Sequence, residues 1–333
     1  MAIQVVNLKN FTVFKDFHLN VSSGINVIIG ENGTGKTHLL KAIYSACEVT
    51  RDLNFGATHL PNVFSNIQEI NLLRDKNNPH STIHLKVDDS DNYSQNGYLS
   101  FNKKINYYFV VPEDKKLNAV YIPVKDMMTH SNGFIAMANT YRNFPFDKTL
   151  VDIVTKTSRW KVKNPPHLAL SILPILESMM GGEVIQENDD FYIKKHNGQK
   201  IIFDIEAEGL KKIGLLWQLL MTNSITENSI ILWDEPEANL NPKFLPKLAE
   251  CLLILSRSGV QIFLATHNYI FAKYFDVLKN SFDKVNFHSL YFDEITDGVI
   301  HESNSYFESL KRNDISQAFN RLLELVYNLK VGD

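Results

Sequence analysis

The chain opens on two runs of alternating polar and apolar residues, "IQVVNLKNFTVF" and "FHLNV", and then an unbroken apolar run, "INVIIG", ending at Gly30. Period-two alternation predicts half-buried strands. A short continuous apolar run closed by glycine predicts a strand covered on both faces. The period then changes. In "GKTHLLKAIYSACEVT", Leu39, Leu40, Ile43 and Ala46 recur at helical spacing on one face. "STIHLKVDD" reads as a strand, and "YLSFNKKINYYFVV" as a hairpin turning near Asn102–Lys104. "LNAVYIPV" predicts a strand that Pro123 breaks.

Helical patterning covers 127–182, including the helical stretch "HLALSILPILESMMGG", stopped by Gly181 and Gly182. "DFYIKKHNGQKIIFDI" predicts a hairpin with Asn197 and Gly198 in a type I′ turn. From Gly209 the chain alternates regularly: a helix to about Met221, "SIILW", "PKFLPKLAECLLILSRS", "VQIFLAT" and "NYIFAKYFDVL". Strand and helix in alternation predict a parallel sheet with covering helices. The tail adds "VNFHSLYFDEI", a turn at Asp297 and Gly298, and an amphipathic helix, "ISQAFNRLLELVYNL".

Composition narrows this further. A chain of 333 residues, 44% apolar, suits one large domain with insertions around a proper core. The net charge of −3 argues against a broad phosphate-neutralising surface. Cys47 and Cys251 supply neither a disulfide framework nor metal-ligand spacing and suit a reducing cytosol. The N-terminus lacks the apolar core of a signal peptide, and no run approaches the ~18 apolar residues of a membrane span. A cytoplasmic chain without membrane association is expected.

Candidate chemistry is concentrated at the ends of three apolar strands. "GENGTGKT" comprises Gly30, Glu31, Asn32, Gly33, Thr34, Gly35, Lys36 and Thr37, with His38 next. It matches the G-x-x-x-x-G-K-[ST] phosphate loop between a strand and a helix, the context that gives the motif its meaning. Glycines let main-chain N–H groups wrap phosphates at the positive end of a helix dipole. Lys36 is expected at the β- and γ-phosphates and the Thr37 hydroxyl on Mg²⁺. In "SIILWDEPEANLNP" a strand delivers Asp234 and Glu235 together. Asp234 is expected to hold the metal, and Glu235 to polarise a water as general base. "VQIFLATHNY" ends a third strand at His267, placed to meet the γ-phosphate or the water.

The order of "GENGTGKT", a glycine before a helix, "WDEPEANLNP" and "ATHN" resembles the ABC-class ATPase heads: transporter nucleotide-binding domains, structural-maintenance and RecF-type repair proteins, and OLD-type ATPases. The resemblance implies an α/β fold: a P-loop NTPase head of ABC type with a mixed or parallel sheet core, an antiparallel β subdomain and a helical insertion. It implies one domain over 1–333: a lobe with the Walker A loop (1–126), the insertion (127–182), a lobe with signature, Walker B and switch histidine (183–301), and C-terminal helices (302–333). ATP and Mg²⁺ are the implied cofactors.

In that family "EANLNP" resembles the D-loop, with Asn239 and Asn241 near a dimer seam, and "EAEGLKK" occupies the place of the signature motif. The resemblance implies that Gly209, with Ala207, Glu208 and Lys211 around it, meets a nucleotide held by a partner subunit in a homodimer or higher homo-oligomer. A Gly209→Glu change is then expected to block closure without harming the fold of one chain. Two departures stand out. Ala207 replaces the usual signature serine, so charge from Lys211 or Lys212 is the expected substitute. The region of the Q-loop has no glutamine, and Lys125 and Asp126 stand in its place.

No sustained heptads announce a long coiled-coil arm. Few residues follow His267, too few for a Toprim nuclease. The phrases "YIPVKDM", "FDKTLVDI", "AEGLKK" and "LWDEPEANLNP" resemble short stand-alone ATPases of bacterial anti-phage systems, the PtuA type of Septu and the AriA type of PARIS. Such ATPases work with a separately encoded nuclease or toxin, so antiviral defence with an effector partner is the expected setting. The insertion and the helix at about 314–329 are the candidate partner contacts. A RecF-like repair ATPase is the rival expectation, and a transporter subunit a weaker one. "KTSRWKVKNPPH" is a basic, aromatic stretch that suits either nucleic-acid contact or an ordinary solvated loop.

Overall fold

The computed structural model describes residues 2–51, 60–65, 67–78, 80–88, 95–101, 116–141, 144–188 and 190–331. The strands are β1 (Ala2–Phe11), β2 (Phe14–Asn20), β3 (Ile25–Gly30), β4 (Ser81–Asp88), β5 (Gln95–Phe101), β6 (Ala119–Ile122), β7 (Gly182–Glu187), β8 (Asp190–Lys195), β9 (Lys200–Ile202), β10 (Ile230–Asp234), β11 (Gln261–Ala265), β12 (Val285–Asp293) and β13 (Gly298–Asn304). The helices are α1 (Lys36–Val49), α2 (Phe134–Thr140), α3 (Lys148–Thr157), α4 (Leu173–Met180), α5 (Glu208–Met221), α6 (Leu245–Arg257), α7 (Tyr269–Leu278) and α8 (Asp314–Val331). None is long and apolar enough to cross a membrane among the described residues.

The central sheet runs β13-β12-β3-β11-β10-β6. Its neighbours pair in parallel except β13, which is antiparallel to β12. Both faces are covered, which explains the continuous apolar runs. Along β10, Ile231 and Trp233 enter one core, and Ile230 and Leu232 the other. On β11, Ile262 and Leu264 divide in the same way from Phe263 and Ala265. Successive side chains on a strand point to opposite faces, so each run supplies two cores at once. One core lies under α4 to α7; the other joins the sheet to α1 and to the antiparallel sheet β2-β1-β4-β5.

Three local expectations are corrected. Only Gly198 of the β8–β9 turn takes a left-handed conformation (φ 86°), and Asn197 does not. Gly198 N–H donates to the Lys195 carbonyl at 2.9 Å, and Lys195 N–H to that of Gln199 at 2.8 Å. This is the three-residue hairpin loop with glycine at its left-handed position, not the type I′ turn. "HLALSILPILESMM" is not one helix: a 3-10 turn at His167–Ala169 precedes α4. Pro174 lacks an N–H and is seated in the first turn of α4, where none is needed. Finally, β7 and β13 had no counterpart in the sequence pattern. The hairpin expected at Asn102–Lys104 lies outside the described residues.

Candidate functional site

β10 and β11 end at one level, and the neighbouring β3 runs two residues further in the same direction. Asp234 of β10 pairs with Ala265 of β11, and Ala265 with Ile28 of β3. The segments that follow them therefore emerge side by side at the carboxyl edge of the sheet, where ligands of parallel α/β sheets bind.

The loop after β3 closes on itself. Thr34 Oγ1 donates to the Glu31 carbonyl at 2.8 Å, and Lys36 Nζ donates to the carbonyls of Gly30 and Glu31, both at 2.8 Å. Gly35 is left-handed (φ 86°), and a Cβ there would stand 2.5 Å from Val13 Cγ2. That conformation releases α1, whose first turn carries no acidic residue and presents its N-terminus to the loop. Burial holds the Lys36 ammonium down to about 8, against the pull of Asp234 and Glu235.

Thr37 Oγ1 donates to Asp234 Oδ2 at 2.7 Å, joining residues 197 apart in sequence. Tyr121 donates to the same oxygen at 3.4 Å. Burial pushes the Asp234 carboxyl up from its usual range; the Thr37 hydrogen bond opposes this. A hydroxyl and a carboxylate oxygen held this close are hard donors, and the pair fits the demand of Mg²⁺ for oxygen ligands.

Glu235 is left-handed at φ 46°, a conformation that costs roughly 1–3 kcal/mol away from glycine. Two bonds hold it there: its N–H donates to the Ala265 carbonyl at 2.9 Å, and its own carbonyl accepts from Lys212 Nζ at 2.8 Å. A cleft of about 270 Å³ results, lined by Asn32, Gly33, Gly35, Lys36, Thr37, His38, Asp234, Glu235, Ala265 and His267. Burial, with Lys36 beside it, lowers the pKa of His267, so its ring is neutral at pH 7. Burial does the same to His38, whose Nδ1 has no partner among the described residues.

The remaining sequence candidates lie elsewhere. Gly209 is buried at the start of α5 against the turn after β10. A Cβ there would stand 2.5 Å from the Asn239 carbonyl oxygen and 2.9 Å from Leu240 Cα. This corrects the expectation that Gly209→Glu spares a single chain: the glycine is what allows α5 to touch that turn. Lys211 is buried and donates to Glu208 Oε1 at 2.7 Å. Lys212 is engaged with Glu235 of its own chain. Asn239 (φ 64°) and Asn241 are exposed on the outer side of the turn. Neither Q-loop substitute lines the cleft. Asp126 accepts from the N–H groups of Met128 and Thr129 at 3.0 and 3.2 Å, capping a 3-10 turn, and Lys125 is exposed.

Sequence reasoning missed Tyr121 and Glu237, and it set Lys212 toward a partner's nucleotide where the structure sets it on the Glu235 carbonyl of its own chain. Glu237 is buried; it accepts from Thr266 Oγ1 at 2.5 Å, and its Oε2 has no partner among the described residues. The available signal was its spacing, two residues past Glu235 and on the same turn.

Comparison with known proteins agrees with this geometry. Residues 129–272 match the family model described as "AAA domain, putative AbiEii toxin, Type IV TA system", and residues 6–122 match a second described as an AAA domain. The DNA replication and repair protein RecF of Idiomarina loihiensis is 42% identical over 64 residues, 19% of this chain and 16% of that protein. RecF of Clostridium botulinum strain Eklund 17B is 32% identical over 87 residues, 26% of this chain and 24% of that one. The aligned segments thus span under a quarter of these relatives' lengths. Among solved structures, the SMC head domain from Thermotoga maritima covers 91% of this chain and 98% of its own, with a TM-score of 0.53 at 14% identity. The Smc head domain bound to the C-terminal domain of ScpA, derived from Pyrococcus furiosus, covers 97% and 99%, with a TM-score of 0.60 at 12% identity. The solved structures show an SMC-head-like α/β fold over most of the chain, the head architecture expected from the motifs; the AAA-domain models and the RecF segments match the chain locally, each over less than half of its length.

Proposed function

We propose that the chain binds Mg·ATP in this cleft, closes as a homodimer around two nucleotides, and hydrolyses them to control a partner protein. The observation that carries this reading is the 2.7 Å contact between Thr37 and Asp234 beside Lys36. It joins the loop directly to the strand-end carboxylate.

In this reading the loop N–H groups and the α1 dipole bind the phosphates, and Lys36 leaves the Gly30 and Glu31 carbonyls to meet the β- and γ-oxygens. Thr37 and Asp234 are the residues that would hold Mg²⁺, which would supply charge neutralisation to the phosphates. Glu235 orients a water and accepts its proton. His267, neutral, donates a hydrogen bond toward the γ-phosphate. Asn239, exposed on the outer side of the turn, meets the partner subunit's nucleotide, and Gly209 and Lys211, buried behind it at the start of α5, come within reach of that nucleotide when the two chains close. Lys36→Ala should weaken ATP binding at least about tenfold, because charge-assisted bonds are lost. Glu235→Gln should retain binding with almost no turnover. Wild-type hydrolysis in Glu235→Gln would remove the general base from the scheme.

We read the controlled partner as a separately encoded nuclease or toxin, in a cytoplasmic antiviral defence role. The family matched over 129–272, described as a putative toxin of a Type IV TA system, supports the link to a toxin. The test is to co-express Glu235→Gln with the products of its neighbouring genes and identify what co-purifies with Mg·ATP. A second reading, a RecF-like repair ATPase, is favoured by the RecF matches. DNA-stimulated hydrolysis that falls steeply with salt would select it.

A further inference from the structure

A second polar cleft lies at the far end of α1. That helix has 14 residues and so carries the chain about 20 Å from the phosphate loop. The cleft, about 330 Å³, is lined by Glu48, Arg51, Lys116, Asp152, Lys156 and Arg159, with Thr155 at its edge. A groove of about 560 Å³ adjoins it, containing Trp160, Lys161 and Gln186. Arg159 lines both.

Lys156 is only 6% exposed yet lines the first cleft. Its ammonium makes no hydrogen bond or ion pair among the described residues, and neither do the head groups of Lys116 and Arg159. A buried cation without a partner is costly unless a ligand supplies the opposite charge. Two carboxylates share the cleft. Asp152 is already met by Lys148 Nζ at 2.5 Å and by the Tyr44 hydroxyl. Glu48 stands 3.7 Å from Arg51, and its Oε1 has no hydrogen-bond partner among the described residues. With Asp152 paired to Lys148 and Glu48 to Arg51, three cations, Lys116, Lys156 and Arg159, are left over, and the balance favours a dianion.

Trp160 supplies the second element. It is 96% exposed, whereas Trp217 and Trp233 are buried at 3% and 0%. The loop beneath it is pinned on one side. Lys161 Nζ donates to the Val184 carbonyl at 2.5 Å and lies 4.6 Å from the centre of the Trp217 ring. Val162 N–H donates to the Met221 carbonyl at 2.9 Å. An indole held outward on an anchored loop, one residue from a cationic cleft, has the form of a stacking platform beside a phosphate pocket.

We propose that these two features form one nucleotide-binding surface, separate from the ATP cleft: Arg51, Lys116, Lys156 and Arg159 hold a terminal phosphate, and Trp160 stacks the attached base. The ligand class is a 5′-phosphorylated nucleotide, either free or at the end of a single strand.

Because Trp160 is the exposed indole, its fluorescence reports the site. The full chain is titrated at low salt with thymidine 5′-monophosphate, with a 5′-phosphorylated oligothymidylate and with the same strand lacking its phosphate. Saturable quenching by a phosphorylated probe is expected. Arg159→Ala should weaken it at least tenfold; Lys156→Met should do the same, and exposed Arg159 guards against a folding artefact in that variant. Trp160→Ala should weaken anisotropy-measured binding several-fold. ATP affinity should not change in any of them. Equal affinity for the monophosphate and the strand identifies a free nucleotide. Tenfold tighter binding of the phosphorylated strand identifies a strand end. Absence of quenching, equal binding of the unphosphorylated strand, or indifference to Arg159→Ala overturns the proposal.

Discussion

At the scale of single residues, the site is a set of groups held in tension. Lys36 is buried, with its proton loosened to about 8. The polyphosphate needs the ammonium, so binding above that pH must draw a proton from solution. We expect ATP affinity to be flat below pH 8 and to fall above it, by up to about tenfold per pH unit. Calorimetry in buffers of different ionisation enthalpy should show proton uptake at pH 8.5. No uptake would mean that Lys36 is already fully charged in the free protein. Glu235→Gln should lower turnover by about 10²- to 10⁴-fold with ATP affinity preserved, read by single-turnover hydrolysis. Gly209→Ala should lower Tm by several degrees and slow turnover even at saturating ATP, because its Cβ displaces the turn that positions Glu235. Unchanged Tm would show that the turn yields freely. Glycines, lysine and carboxylates were legible because one motif carries each at fixed spacing. Tyr121 was not: it reaches the site only after the chain has folded, across 113 residues. Lys212 was singled out, but its bond to the Glu235 carbonyl 23 residues on, within its own chain, was not legible.

At the scale of elements, the apolar runs declared β3, β10 and β11 because covered parallel strands need apolar side chains on both faces. β7 and β13 escaped notice because each is partly exposed and mixes polar with apolar residues. The β8–β9 turn was misread because Asn-Gly suits more than one hairpin loop, and the loop length decides among them. α8 makes a different point. Its start is fixed: Ser316 donates to Glu308 at 2.8 Å, and Phe319 stacks on Tyr269 with ring centres 4.2 Å apart. Residues 321–329 are exposed, Leu322, Leu325 and Leu329 among them. Ending the chain after residue 320 should therefore leave Tm within about 2 °C of wild type, because little apolar area leaves the core. A larger loss in calorimetry would mean that this half of α8 is bound to something in solution.

At the scale of the whole molecule, the head architecture gathers the residues that the proposed chemistry takes from one chain on one edge of the central sheet. The exposed Asn239 turn and the start of α5 lie outside that cleft. In the proposed scheme they complete a second chain's site, so nucleotide and assembly are coupled. The most direct test is the native mass of Glu235→Gln by analytical ultracentrifugation, with and without Mg·ATP, beside Lys36→Ala as a control. The account predicts that Mg·ATP doubles the mass of Glu235→Gln and leaves Lys36→Ala unchanged. The same mass for Glu235→Gln in both conditions, with ATP shown to be bound, would contradict it.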